Sequence, residues 1–157
     1  MGEIESHKVL ELFNKEGVDY KLYEHEPVYT SEQASKVRGV DLRTGVKAMV
    51  LKSKDHFLLA DIAADRRLDF RKLEKLLDVK KLEFATKDEV LSKTGCEAGS
   101  VHPIGWLFGL DSYLDQSVLG NEHLNFNIGL LTKSVRIKKD DLVKILKPKL
   151  IDSFSKQ

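Results

Sequence analysis

Val46-Lys47-Ala48-Met49-Val50-Leu51-Lys52, then Ser53-Lys54-Asp55, then His56-Phe57-Leu58-Leu59-Ala60-Asp61-Ile62-Ala63-Ala64 is the stretch that decides the architecture. Two apolar runs of strand length flank a short polar break, which predicts two strands joined by a tight turn. Apolar residues fall on both alternating sets, so both faces of the sheet are expected to be covered. Upstream, Ile4, Val9, Leu12 and Phe13 fall near helical spacing before Gly17, a plausible helix stop. Tyr20–Thr30 reads as extended, because Pro27 biases Glu26 away from helix. Thr30 or Ser31 caps a short helix that Gly39 ends.

Downstream, Leu68, Leu73, Leu76 and Leu77 mark an amphipathic helix, Leu82–Ala85 a short strand and Lys87–Lys93 a short helix. Residues 95–110 read as irregular, His123–Gly129 and Ser134–Ile137 as strands, and Lys139–Leu146 as a closing helix stopped by Pro148. Ser153–Gln157 is expected to fray. Short strands and helices alternate without a regular βαβ repeat. The expected fold is mixed α/β (α+β): a curved mixed sheet or partial barrel surrounded by helices.

The 157 residues suit one domain, 1–157, at roughly 150 residues per domain. With 41% apolar and 32% charged residues, disorder is excluded. Cys96 is the only cysteine, which excludes an intrachain disulfide and a cysteine-rich zinc site. The first twenty residues are charged throughout and no long apolar run occurs, so a soluble cytoplasmic protein without membrane contact is expected. Net charge is +1, yet residues 66–81 carry +4 and residues 133–149 carry +5, leaving −8 for the remainder. That segregation suits a polyanion-facing surface, or two solvated helices with lysine-covered outer faces.

Lys47 interrupts the first apolar strand and shares its face with Met49 and Leu51. An ammonium there either enters a pocket, where it would anchor a phosphate or carboxylate, or snorkels at the edge. Four of the ten glycines fall between Gly95 and Gly109, around Gly99-Ser100-Val101-His102-Pro103. Such a loop could aim backbone N–H groups at one oxygen, or merely carry Trp106 and Phe108 into the core. It has neither a phosphate-loop Gly-Lys-Ser/Thr nor a dinucleotide fingerprint. The five histidines are scattered without metal-ligand spacing, so no metal is expected. Cys96 could be a nucleophile but is more simply a small apolar filler. Asp61 and Asp65 could serve as a base or as ribose partners, although Asp65-Arg66-Arg67 also reads as a charged helix start. No nucleophile elbow occurs.

His25–Ala34, Val46–Lys52, Phe57–Leu77 and Phe84–Trp106 together resemble the YbaK/prolyl-tRNA-synthetase-associated domain family, over about residues 22–146. The most specific parts are the pocket lysine, here Lys47, and the Gly-x-x-x-Pro loop, here Gly99–Pro103, with Thr30-Ser31-Glu32-Gln33-Ala34 upstream. The resemblance implies a trans-editing hydrolase that cleaves the ester between a wrong amino acid and the terminal adenosine of tRNA, without metal or cofactor. It implies catalytic roles for Lys47, Gly99 and Pro103. Thr30, Met49, Ser100, Val101, His102 and Asn127 would contact substrate. The implied partners are the acceptor end of mischarged tRNA and an aminoacyl-tRNA synthetase. Two positions depart from the family pattern. Ala48 follows the lysine where many members have Asn or Thr, and Phe126-Asn127-Ile128-Gly129 stands where alanine-specific members carry a histidine. Two rivals remain: a non-catalytic module that binds a nucleotide or tRNA end, and a hydrolase of other small esters or thioesters.

Overall fold

The computed structural model describes residues 1–157. Helix α1 (Glu3–Glu16) stops at Gly17 in the left-handed conformation, and strand β1 (Lys21–Glu24) follows. Helix α2 (Ser31–Arg38) is capped by Thr30, whose side chain accepts the Gln33 N–H, and ends at left-handed Gly39. The hairpin predicted above forms as β2 (Val46–Ser53) and β3 (His56–Ala63), paired along their whole length from Val46–Ala63 to Ser53–His56. Next come β4 (Arg67–Leu68), α3 (Phe70–Leu77), β5 (Glu83–Phe84) and α4 (Lys87–Thr94). A capping box closes the start of α4: Thr86 and Glu89 satisfy each other's backbone N–H groups.

The second half contributes β6 (Asp111–Asp115), β7 (His123–Asn127), β8 (Lys133–Lys138), α5 (Lys139–Leu146), β9 (Leu150–Asp152) and β10 (Ser155–Lys156). The fold is mixed α/β, as expected, and it is not a closed barrel. The largest sheet runs β5-β2-β3-β6-β9, antiparallel around the hairpin but parallel at β3–β6 and β6–β9. A second sheet runs β1-β8-β7, and β10 pairs with β4. The two larger sheets meet where Gly45, just before β2, bridges Asn125 of β7.

The C-terminus departs from expectation. Rather than fraying, it is held: Phe154 is fully buried, its N–H donates to Asp115 Oδ1, and Ser155 Oγ donates to Asp115 Oδ2 at 2.7 Å. One core packs α1 and α5 against the β1-β8-β7 sheet through Val9, Phe13, Phe126, Val135 and Leu142. Another packs α3 and Phe154 against Leu51, Leu58 and Ile62 of the hairpin. A third, with Val50, Leu59, Val90, Cys96 and Val101, ties α4 and the following loop to the hairpin's other face.

Candidate active site

The hairpin leaves part of β2 without a neighbour. β2 pairs with β5 only at Leu51 and Lys52, and the sheet contact with β7 ends at Gly45. Residues 46–49 thus border a gap in the strand edge. A cavity of about 240 Å³ lies along it, lined by residues of both strand faces, Val46, Lys47, Ala48 and Met49, and covered by α2. Gly99, Val101 and Asn127 line the same cavity.

The local chemistry explains the walls. At the rim, Gln33 Oε1 accepts the Tyr29 N–H at 2.9 Å while its own N–H donates to Thr30 Oγ1 at 3.1 Å, so Thr30 both caps α2 and lines the cavity. Lys47 is half-buried, and burial lowers its pKa from the usual lysine value, partly offset by the nearby charges of Glu32 and Asp65. Its ammonium donates no hydrogen bond to either carboxylate. Gly99 has φ +92°, a left-handed conformation that an L side chain adopts only under strain, although the space beside it is open. In the same loop, the N–H groups of Gly99 and Val101 find no backbone acceptor.

Of the residues singled out in the sequence, Lys47, Gly99, Thr30, Met49, Val101 and Asn127 line this cavity together. Ser100, His102 and Pro103 stand behind the wall. Ser100 Oγ donates to Glu97 O at 2.7 Å, and its carbonyl accepts the Gly129 N–H. The His102 ring is buried, stacks on Phe108 at 4.2 Å between centroids and accepts the Ile104 N–H on Nδ1. Burial pushes its pKa down to about 3, so it is a neutral packing group at physiological pH. The Pro103 carbonyl accepts from Ser112 Oγ at 3.0 Å.

Sequence reasoning missed Arg38. Its guanidinium lines the cavity, and Nη2 donates to Asn127 Oδ1 at 3.0 Å and to Ser134 Oγ at 2.9 Å. Asn127 Nδ2 in turn donates to the Gly99 carbonyl at 2.8 Å, so one polar chain runs from α2 through β7 to the glycine loop. Nothing local in the sequence announced it: its partners Asn127 and Ser134 stand 89 and 96 residues away.

A model of the aminoacyl-tRNA editing domain matches residues 25–145. The chain belongs to the aminoacyl-tRNA editing domain family. The multifunctional Ser/Thr-tRNA deacylase ProXp-y of Escherichia coli (strain K12) is 31% identical over 156 residues, covering 96% of this chain and 93% of that protein. A proline–tRNA ligase of Caldicellulosiruptor bescii is 33% identical over 131 residues, 82% of this chain but 22% of the ligase. Among solved structures, a candidate trans-editing enzyme for prolyl tRNA synthetase superposes with TM-score 0.83 at 24% identity, over 98% of this chain and 97% of that one. That likeness shows the fold.

Other titratable groups of this editing domain stand outside the cavity. Cys96 is buried beside Thr94, and desolvation pushes its thiol up to about 12, which removes it as a nucleophile near neutral pH. Asp61 is completely buried in β3, with neither carboxylate oxygen hydrogen-bonded. No three His, Cys, Asp or Glu side chains converge as metal ligands. No helix is long and apolar enough to cross a membrane.

Proposed function

We propose that residues 1–157 work as one trans-editing deacylase that removes a wrong amino acid from the terminal adenosine of tRNA in the cytoplasm. The observation that carries this reading is the joint lining of one cavity by Lys47, Gly99 and Val101. Lys47 would hold the phosphate or ribose end of the adenosine. The free amides of the glycine loop would polarise the aminoacyl carbonyl. Water then attacks the carbonyl carbon, the ester C–O bond breaks and the ribose oxygen takes up a proton, leaving free amino acid and intact tRNA. An oxyanion donor of this kind contributes about 3 kcal/mol. The ester is already activated, so no strong nucleophile is needed. Pro103 would act through the loop, by fixing the backbone whose Gly99 and Val101 reach the cavity. Ser100 and His102 would likewise support the wall from behind.

The small cavity favours a small aminoacyl group, and the similarity to a Ser/Thr-tRNA deacylase makes seryl- and threonyl-esters the first substrates to test. A panel of mischarged tRNAs should show ester hydrolysis confined to small residues. Binding without hydrolysis of any member would instead establish the non-catalytic module, and cleavage of simple esters or thioesters alone would establish the third reading. Similarity to part of a proline–tRNA ligase supports a synthetase as the partner that hands over the substrate.

Hydrolysis should survive chelation. With tRNA structure kept intact, loss of activity in chelator and its return on adding zinc or magnesium would refute the metal-free mechanism.

The basic segments differ in their surroundings. Lys133, Lys139 and Lys149 pair with Glu24, Glu122 and Asp111, and Lys147 sits over the Trp106 ring. Lys72 and Lys75 on α3 are exposed, with no ion pair. Charge reversal at Lys72 and Lys75, or at Lys144 and Lys147, should weaken binding of tRNA more than that of an aminoacyl-adenosine mimic. Contact with about three phosphates gives a slope of roughly −2 to −3 in log K against log salt. An aminoacyl-adenosine mimic should be indifferent to either reversal. Equal losses for tRNA and mimic would mean that neither segment is a docking surface.

A further inference from the structure

Arg38 is a partly buried cation without an anion. Among 25 acidic residues in the chain, none pairs with it; the one titratable group acting on it is Tyr23. Burial lowers its pKa to about 10, the cost of holding a charge in a poorly solvated place. Its three nitrogens have different fates. Nη2 is spent on Asn127 and Ser134, and Nε is buried with no acceptor. Nη1 makes no protein hydrogen bond. It lies 4.0 Å from where a Cβ on Gly45 would sit, beside the first residues of β2. A Cβ at Gly45 would also press on the Ala64 Cβ at 2.9 Å, so glycine keeps this corner of the cavity open. Lys47, two residues beyond Gly45, lines the same cavity, again without a hydrogen-bonded carboxylate.

Two unpaired cations lining one cavity suit an anion with several acceptor oxygens. A guanidinium whose fork is half occupied keeps an N–H for a phosphate oxygen, and a lysine adds a point charge. We infer that Arg38 is a phosphate-binding residue, and that with Lys47 it holds the phosphodiester on the 5′ side of the terminal adenosine. This rests on the deacylase reading for the identity of the ligand. It adds a consequence: the guanidinium that meets the phosphate also orients Asn127, and Asn127 holds the Gly99 carbonyl. Correct seating of the nucleotide and correct posture of the glycine loop are therefore joined through one side chain.

The test uses non-hydrolysable 3′-amides of seryl-adenosine, one with a 5′-methyl phosphodiester and one with a free 5′-hydroxyl, with binding read by calorimetry. In the parent protein the phosphodiester should tighten binding roughly 10- to 100-fold, the range for a hydrogen bond to a charged group. Arg38→Gln keeps an N–H for Asn127 but loses the charge, and should cut that advantage to about threefold or less. If Arg38→Gln weakens both amides by the same factor, Arg38 only supports Asn127 and the inference falls. If the parent itself does not distinguish the two amides, the inference falls without any variant, which covers the case in which Arg38→Gln does not fold. The 5′-monophosphate separates the two sources of a phosphate: binding it far more tightly than the diester would point to a free nucleotide and overturn the tRNA-end assignment. Hydrolysis of the matching esters is measured separately. Catalysis without a phosphate advantage sinks only this inference, and a phosphate advantage without catalysis sinks only the deacylase reading.

Discussion

Lys47→Ala should lower kcat/KM for deacylation by roughly 10- to 100-fold, the range for a charged hydrogen bond, while the protein remains folded. The loss follows from position: Lys47 borders the gap along β2 and lines the cavity that Gly99 and Val101 also line. Stability should change by less than about 1 kcal/mol, because the ammonium gives up solvation in the fold and gains no hydrogen-bonded partner. The pH dependence adds a second readout. Burial lowers the lysine pKa, so its charge is lost earlier than an ordinary lysine's as pH rises. The ratio of parent to variant activity should therefore shrink on the alkaline side. Equal activity of the two proteins on every substrate cleaved would remove Lys47 from the mechanism. A large fall in melting temperature would make it structural.

The second large effect concerns stability. Asp61→Val should stabilise the fold by about 2 kcal/mol, the usual scale for relieving a buried, unbonded polar group. In a protein of this size that corresponds to a melting temperature higher by roughly 4–8 °C. Both Asp61 oxygens lack partners, and its β3 neighbours Leu59 and Ile62 are fully buried. Valine suits a strand and removes the polar atoms. The sign of the pH dependence is fixed. Desolvation raises the folded-state pKa well above the ordinary carboxylate value, so the folded protein holds this proton more tightly than the unfolded chain. Stability attached to the protonated form is complete below about pH 4 and is lost as pH rises toward the raised value. The gain from Asp61→Val should therefore grow between pH 4 and pH 8, measured by thermal melts of both proteins in the same buffers. A difference that stays flat across that range would mean that the carboxyl titrates normally, and the burial argument would fail.

The hairpin and α2 were legible because each carries its own local signal. The apolar runs of β2 and β3 flank a polar turn, and α2 has Thr30 at one end and Gly39 at the other. β6 was missed, although it lies inside the largest sheet. Its sequence, Asp-Ser-Tyr-Leu-Asp, places polar residues where a buried parallel strand usually has Val, Ile or Leu. Its polar ends are used tertiarily: Ser112 binds Gly105 and Pro103, and Asp115 holds the C-terminal segment. The fraying expected for Ser153–Gln157 failed for the same reason, since nothing local announces that Asp115 waits for Phe154 and Ser155. The cavity was readable in part. Lys47 stood out because a lysine in an apolar strand is conspicuous, whereas Arg38 looked like an ordinary cation in the last turn of a helix. Its partners are remote in sequence.

That remoteness bears on how the protein comes into being. Arg38 reaches its partner Asn127 across 89 residues, and His25 meets Ser134 across 109. The hairpin can close early, since its strands adjoin in the chain. The cavity exists only after the longest loops have closed, and those are the slowest contacts to form. A nascent or refolding chain thus acquires most of its regular structure before it has anywhere to put a substrate. Regained activity marks the final assembly of the chain rather than its collapse.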